Sequence, residues 1–211
     1  MDELDFAALR AAPVQAEPFA HILLPHFVRA SALPAVFAAL PPMKGRGSFP
    51  IAALRLGEAA RAVIAGLQSE MFRGIIEEKF ALNLAGAPRM ITLRGNAGPQ
   101  DGQIHMDSSA KRVTILLYLN PTGAGPWARQ EGCLRLLRGP DDLENYATEV
   151  PPVDGTLLVF PNGPATWHGH KAFTGQRYVV QMNYMTTSTK AKAEMRRHHL
   201  SALFKRLTGA A

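Results

Sequence analysis

The stretch VTILLYL at positions 113–119 decides the fold class. Its β-branched, leucine and tyrosine residues are typical of a strand, and the turn-forming pair Asn120-Pro121 follows it at once. Further segments of this kind lie on both sides, separated by clusters of Gly, Pro, Asn or Asp. They are 90–93, 103–107, 133–137, 155–160 and 177–184. Because no clear helical period lies between these short strands, they predict an antiparallel sandwich or barrel rather than a parallel α/β sheet.

Helical patterns flank these strands. Apolar residues recur at helical spacing in 5–9, 33–40 and 59–82, and again in 188–207. We therefore predict an α+β fold. The chain has 211 residues and neither a repeat nor a Ser/Gly linker, so one domain is expected at roughly 150 residues per domain. Its expected parts are a mainly helical flank at 1–87, a β core at 88–186 and a basic amphipathic helix at 187–211.

Composition and cysteine usage restrict the class of protein. Hydrophobic residues make up 47% and charged residues 19%, which is ordinary for a globular domain with a buried core. The single cysteine, Cys133, excludes an internal disulfide and fits a reducing compartment. The acidic start of the chain lacks the features of a secretory signal, and no apolar stretch approaches 18 residues. A cytoplasmic protein without a membrane span is expected.

The net charge of +6 is concentrated at the C-terminal end. The basic residues there are Lys190, Lys192, Arg196, Arg197, Lys205 and Arg206. A basic helix can bind a phosphate backbone. The same helix, however, carries an apolar stripe that needs burial on the core or in a homodimer. That stripe consists of Leu200, Leu203, Phe204 and Leu207. A nucleic-acid partner is therefore disfavoured, and a homo-oligomer stays open.

Two histidine-containing motifs carry the candidate chemistry. In His105-Met106-Asp107, positions i and i+2 of a strand point to one face, so an imidazole and a carboxylate lie side by side. The alternative is that Asp107 only accepts hydrogen bonds in the turn that follows. A third ligand is available in Trp167-His168-Gly169-His170, although strand alternation cannot choose between its two histidines. Two His and one carboxylate leave positions open on an octahedral metal, which suits Fe(II) better than structural zinc.

Two other motifs give weaker evidence of a function. The Gly-rich stretch 95–102 leads into a strand and lacks the Gly-Lys-Ser/Thr ending of a phosphate loop, so a turn is expected. Cys133 has both Glu131 and Arg135 two residues away and no His nearby, so packing is favoured over a nucleophilic role.

An ordered series of motifs between 88 and 185 resembles the catalytic core of the 2-oxoglutarate and Fe(II)-dependent dioxygenases, in the branch similar to prolyl 4-hydroxylases. The series is HMD at 105–107, VTILLYLNP at 113–121, EGCLRL at 131–136, GTLLVF at 155–160, WHG at 167–169 and GQR at 175–177. An ordered series is far more specific than His-x-Asp alone. The resemblance covers nearly half of the chain.

The resemblance implies a double-stranded β-helix, or jelly roll, with His105, Asp107 and His168 as iron ligands. It implies that Arg177 pairs with the distal carboxylate of 2-oxoglutarate, because a guanidinium grips a carboxylate through two parallel hydrogen bonds. The other residues implied for the cosubstrate pocket are Tyr118, Leu134 and Thr114. Expected substrate-side residues are Arg94, Gln103, Trp127, His170, Gln181 and Asn183. At Arg94 related enzymes often carry a tyrosine and at Asn183 an aromatic residue, so the substrate class stays open.

The function expected from the resemblance is a 2-oxoglutarate- and Fe(II)-dependent dioxygenase. It would hydroxylate a peptidyl, prolyl or small-molecule substrate and release succinate and CO2, with O2 consumed and ascorbate open as an auxiliary reductant. The alternative is a jelly-roll metal-binding protein without oxygenase activity, since a fold does not determine its function. Binding of 2-oxoglutarate at the metal separates the two.

Overall fold

The computed structural model describes residues 3–43, 45–124 and 127–208, with the side chains of 124, 128, 199 and 201–208 outside the description. The helices in these ranges are α1 (Phe6–Ala11), α2 (Leu33–Ala38), α3 (Glu58–Leu67), α4 (Glu70–Phe80) and α5 (Thr189–Thr208). The strands are β1 (Ile22–Leu24), β2 (Phe49–Pro50), β3 (Arg89–Ala97), β4 (Lys111–Tyr118), β5 (Leu134–Leu137), β6 (Tyr146–Val150), β7 (Leu157–Pro161), β8 (His168–His170) and β9 (Gly175–Met185).

The strands form two antiparallel sheets. The larger sheet has the order β1-β7-β4-β9-β3-β2, and the smaller one has the order β6-β5-β8. One buried cluster joins the two sheets, with Leu116 from β4, Leu134 and Leu136 from β5, and Val179 from β9. The protein is therefore a double-stranded β-helix with helices packed around it, and the expectation of an α+β jelly roll is confirmed.

Alternation along β4 separates the hydrophobic core from the site. Val113, Ile115 and Leu117 point to one face of the large sheet and pack in the cluster that includes the helical residues Phe72 and Ile76. The residues between them, starting with Thr114, point to the opposite face, toward the small sheet. The helices thus support the sheet from behind and leave its other face for chemistry.

The prediction of a strand at 103–107 is wrong. His105 forms only an isolated bridge with His168, which continues the small sheet by a single residue pair. Gly102 precedes this bridge with a φ of +93°, and a hydrogen-bonded turn, in which the Lys111 amide donates to the Ser108 carbonyl, follows it. The segment is therefore bent at both ends and too short to pair further.

The predicted helix at 59–82 is two helices. Ser69 accepts a hydrogen bond from the Phe72 amide at 3.1 Å, which caps the N-terminus of α4. The chain turns at this residue, so α3 ends at Leu67 and α4 begins at Glu70. The short strands β6 and β8 were not predicted, because five and three residues show too little alternation to be recognised.

The C-terminal helix docks through its first turns. Ala191 is buried against Ala110 and Met185. Leu200, by contrast, is 67% exposed, so this position of the apolar stripe is not buried on the core, and burial in a homodimer stays a prediction. The stripe residues Leu203, Phe204 and Leu207 lie outside the described side chains. Of the described helices, none has the length and apolar character to cross a bilayer.

Leu117 and Leu200 provide a matched test of this architecture. Leu117→Ala removes a fully buried side chain from the face of β4 that packs on the helices, so the free energy of unfolding should fall by about 2–5 kcal/mol. Leu200→Ala should change it by less than about 0.5 kcal/mol, because Leu200 is exposed. Urea unfolding followed by circular dichroism measures both variants. Equal losses would contradict the assigned faces.

Candidate metal centre and its cavity

His105, Asp107 and His168 converge at one end of the jelly roll. Each offers one ligand atom, and the three atoms lie within 4.8 Å of one another. Two backbone hydrogen bonds, each 3.0 Å long, connect His105 and His168 and bring their ring centroids to 4.3 Å. His168 and not His170 lies in this group. The structure thus chooses between two histidines that alternation alone left equivalent.

Backbone carbonyls orient both rings of the group. The Nδ1 of His105 lies 2.8 Å from the Gln103 carbonyl oxygen, and the Nδ1 of His168 lies 3.0 Å from the Thr166 carbonyl oxygen. A carbonyl only accepts, so each Nδ1 carries the proton and each Nε2 keeps its lone pair. Metal-binding histidines are commonly oriented in this way. Burial and the neighbouring His105 lower the pKa of His168 to about 4, so its ring is neutral near pH 7.

Asp107 is held as a carboxylate. Its Oδ2 accepts a hydrogen bond of 2.6 Å from the Thr114 hydroxyl, and its Oδ1 is in contact with the Lys111 ammonium. Burial alone raises the pKa of Asp107, but Lys111 and Thr114 outweigh it and leave that pKa below its ordinary value. The next residue is fixed too, because Ser108 donates a 2.6 Å hydrogen bond to Glu194 of α5. An anionic ligand is therefore fixed beside two imidazoles, which fits Fe(II) with open positions.

A cavity of about 90 Å³ opens from these three residues into the space between the sheets. On this measure roughly 10–15 Å³ hold one water, so the cavity holds a small molecule. The other side chains that line it are Arg94, Thr114, Leu116, Tyr118, Leu134, His170, Arg177, Val179 and Gln181. The cavity wall also requires Gly102, since a Cβ there would lie 2.4 Å from the His170 carbonyl oxygen.

Arg177 is a buried cation without a counter-charge. Its Nε donates to the Gly132 carbonyl oxygen at 2.8 Å, and its guanidinium lies 5.3 Å from the centroid of the Tyr118 ring. No carboxylate pairs with it in the part of the chain that the structure describes. Arg135, also buried, forms ion pairs with Glu144 and Glu149, each 2.8 Å long. The fold therefore compensates one buried arginine and leaves the other free for a ligand.

The Tyr118 hydroxyl is unsatisfied at the same place. It is buried, and no residue in the described ranges accepts its hydrogen bond. Burial raises the pKa of Tyr118 to about 12, so the hydroxyl keeps its proton and remains a donor. Buried polar groups without partners are uncommon in native proteins. A guanidinium without a carboxylate partner beside a hydroxyl without an acceptor, among the described residues, fits the carboxylate of a small acid.

The decisive comparison concerns the strands that build this cavity. Residues 93–185 match the family model described as 2OG-Fe(II) oxygenase superfamily. This match covers a little under half of the chain. Comparison with curated protein sequences gave no match.

Several solved structures resemble this chain over most of its length. A prolyl-4-hydroxylase from Pseudomonas putida is 22% identical with a TM-score of 0.58, over 84% of this chain and 98% of its own. A prolyl 4-hydroxylase from Phytophthora capsici is 17% identical with a TM-score of 0.60, over 96% and 78%. A Trichoplax adhaerens prolyl hydroxylase, in complex with a hypoxia inducible factor peptide fragment, is 17% identical with a TM-score of 0.51, over 92% and 91%. At these identities the likeness shows the fold.

Some of the expected substrate-side residues line the metal cavity, and the others lie outside it. Arg94, His170 and Gln181 line the cavity. Asn183 lies outside it, where its amide oxygen is 3.1 Å from the Thr114 hydroxyl oxygen. Gln103 is exposed and outside the cavity lining. Trp127 also lies outside the lining of the metal cavity. Its ring packs on the Phe173 ring, with 5.2 Å between the centroids, and lines a different cavity.

Sequence reasoning missed two residues that support the candidate metal group. Lys111 and Glu194 were not singled out as site residues, although each contacts the turn that begins at Asp107. Lys111 follows Asp107 by four residues, and Glu194 follows it by 87 along the chain. Neither distance is diagnostic without the fold, so no signal in the sequence alone could have found these contacts.

Thr114→Val tests whether the support of Asp107 matters to the metal. Valine keeps the shape of threonine but removes the donor to Asp107, so Fe(II) affinity should fall by about 10- to 100-fold. Thr156→Val is the control, since Thr156 is buried outside the cavity. Anaerobic competition with a chelator measures both affinities. Equal affinities in the two variants would contradict a role for the hydroxyl.

Proposed function

We propose that this protein is a 2-oxoglutarate- and Fe(II)-dependent dioxygenase that hydroxylates an organic substrate and releases succinate and CO2. The observation that carries the proposal is one cavity with two His and one carboxylate at one end and the uncompensated Arg177 at the other. A metal-binding protein without oxygenase activity has no use for that buried cation. Its cost in an apolar environment is large unless a ligand supplies the counter-charge.

In this proposal His105, Asp107 and His168 hold the Fe(II). When bound, Fe(II) together with 2-oxoglutarate and O2 supplies the oxidant for hydroxylation, and the chain aims and shields this chemistry. Thr114 and Lys111 keep Asp107 ionised and oriented, while the two backbone carbonyls keep both imidazole lone pairs on the metal side. Ascorbate remains a proposed auxiliary reductant.

Arg177 and Tyr118 form the proposed anchor for the distal carboxylate of 2-oxoglutarate. Both are buried, the Tyr118 hydroxyl has no acceptor among the described residues, and the Arg177 guanidinium donates to the Gly132 carbonyl through its Nε. Leu134 and Thr114 line the same cavity and exclude water from it. A low-dielectric environment strengthens the hydrogen bonds between a guanidinium and a carboxylate.

A neighbouring groove is the proposed substrate site. It encloses about 400 Å³ and shares Gln181 with the metal cavity. Most of the residues that line it have polar side chains, among them Thr92, Asn183 and, from α5, Glu194 and Arg197. A groove lined by amide and hydroxyl groups suits a substrate rich in hydrogen-bonding groups, and the Trichoplax adhaerens relative is in complex with a peptide fragment. We therefore favour a peptidyl substrate over a small molecule.

The remaining expected residues take proposed places around this path. Gln181 and Asn183 contact the substrate in the groove, and Arg94 and His170 face it from the cavity. Gln103 is placed at the exposed rim. The cytoplasmic location, the single-domain organisation and the homo-oligomer stay predictions.

Asp107→Ala should abolish turnover and reduce Fe(II) binding, because two neutral histidines hold Fe(II) poorly without an anionic ligand. The exposed Asp141→Ala is the matched control and should keep the wild-type iron content. Iron content after anaerobic loading and 2-oxoglutarate turnover to succinate are the measurements. Wild-type iron and rate in Asp107→Ala would remove it from the ligand set.

Arg177→Ala should raise the dissociation constant of 2-oxoglutarate by about 10- to 100-fold, since charge-assisted hydrogen bonds contribute roughly 1.5–3 kcal/mol. Fe(II) affinity should change little, because Arg177 is outside the metal group. The exposed Arg138→Ala is the control. Anaerobic calorimetric titration of the metal-loaded proteins measures both constants. An unchanged affinity for 2-oxoglutarate would refute the anchor.

A further inference from the structure

A second guanidinium lines the metal cavity. Arg94 of β3 is in register with Val179 of β9, and Val179 lies two residues from Arg177 on the same strand face. Arg94 and Arg177 therefore point into the cavity from neighbouring strands. The side chain of Arg94 is 34% exposed, whereas Arg177 is buried, so Arg94 lies nearer the opening.

Asp101 fixes Arg94 without saturating it. One terminal nitrogen of Arg94 donates to Asp101 Oδ1 at 2.6 Å. The other carboxylate oxygen of Asp101 accepts from the Gly98 amide at 2.8 Å, which ties the ion pair to the turn at 98–101. In the described ranges, no acceptor engages the remaining donors of the Arg94 fork. A guanidinium has five N–H donors, so a carboxylate can still bind in parallel.

The charges in this half of the cavity do not balance. Arg94 and Arg177 bring two positive charges, and Asp101 is the carboxylate that pairs with Arg94 there. Burial lowers the pKa of Arg177, and the charge of Arg94 lowers it further, as expected of two cations that lie close together. A solvated strand arginine would instead point away from a second cation. Together with Asp101 the two arginines leave one positive charge, which matches a carboxylate at Arg177, and a carboxylate at Arg94 would bind through the donors of its fork that Asp101 does not use.

We infer that Arg94, oriented by Asp101, is a second carboxylate-binding arm of this cavity. The inference rests on the proposed function. The carboxylate has two sources, namely the metal-side carboxylate of 2-oxoglutarate, whose distal carboxylate is assigned to Arg177, or an acidic group on the substrate. In both cases the chemistry is a bidentate guanidinium–carboxylate pair.

The test uses full-length, metal-loaded protein under anaerobic conditions with the variants Arg94→Ala, Arg94→Lys and Asp101→Asn. Arg138→Ala is the control, and thermal unfolding checks that each variant is folded. In the first arm 2-oxoglutarate is titrated alone. In the second arm 2-oxoglutarate is saturating, and N-acetylaspartate is titrated against its neutral match N-acetylasparagine.

If the carboxylate is that of the cosubstrate, Arg94→Ala raises the dissociation constant of 2-oxoglutarate by about tenfold or more. Arg94→Lys should lose part of the affinity, because it keeps the charge without the fork, and Asp101→Asn should lose part because the arm is no longer oriented. If the carboxylate is that of the substrate, the first arm is unchanged. Wild type then prefers N-acetylaspartate, and Arg94→Ala loses that preference.

The inference is overturned if Arg94→Ala changes neither arm. Arg177→Ala in the same titration separates this failure from failure of the proposed function. Loss of 2-oxoglutarate affinity in Arg177→Ala but not in Arg94→Ala removes the second arm only. No loss in either variant removes the cosubstrate site as well.

Discussion

The site depends on two backbone hydrogen bonds between His105 and His168. They join a bent segment of the chain to the edge of the small sheet and bring the two imidazole ring centroids within 4.3 Å of each other. Asp107 follows two residues later, in a turn held by its own contacts with β4. Because the backbone makes this connection, the metal group does not rely on flexible side chains to assemble. Such preorganisation keeps the open positions of a metal directed into the cavity.

The two buried arginines differ in whether a carboxylate neutralises their charge. Arg135 is surrounded by carboxylates and a tyrosine ring, so its charge is neutralised where it lies. Arg177 contacts a backbone carbonyl and the face of the Tyr118 ring, and no carboxylate in the described ranges pairs with it. Burying an unpaired charge destabilises a protein unless a ligand completes it. The proposed cosubstrate site is thus marked by a buried positive charge that has no carboxylate partner among the described residues. Arg94, paired with Asp101, is a second positive charge nearer the opening of the cavity.

Much of this could be predicted from the sequence, and the reasons differ between elements. The stretch 113–119 has strand character strong enough to be recognised alone, and its alternation correctly places Thr114 and Tyr118 on one face. The motif at 105–107 predicted the right residues on the wrong element, because a strand and a single bridge both direct i and i+2 to one side. The choice of His168 needed the fold, since alternation treats it and His170 alike. Contacts such as Ser108 with Glu194 join residues far apart in the chain and could not be predicted.

The most direct test of the central claim is the visible absorption of the anaerobic protein after addition of Fe(II) and then 2-oxoglutarate. Chelation of the metal by the keto oxygen and near carboxylate produces a metal-to-ligand charge-transfer band. We expect this band in the wild-type protein, and we expect it to be absent when Asp107 is replaced by alanine. Bound Fe(II) and bound 2-oxoglutarate without the band would contradict the account and favour a metal protein of another function.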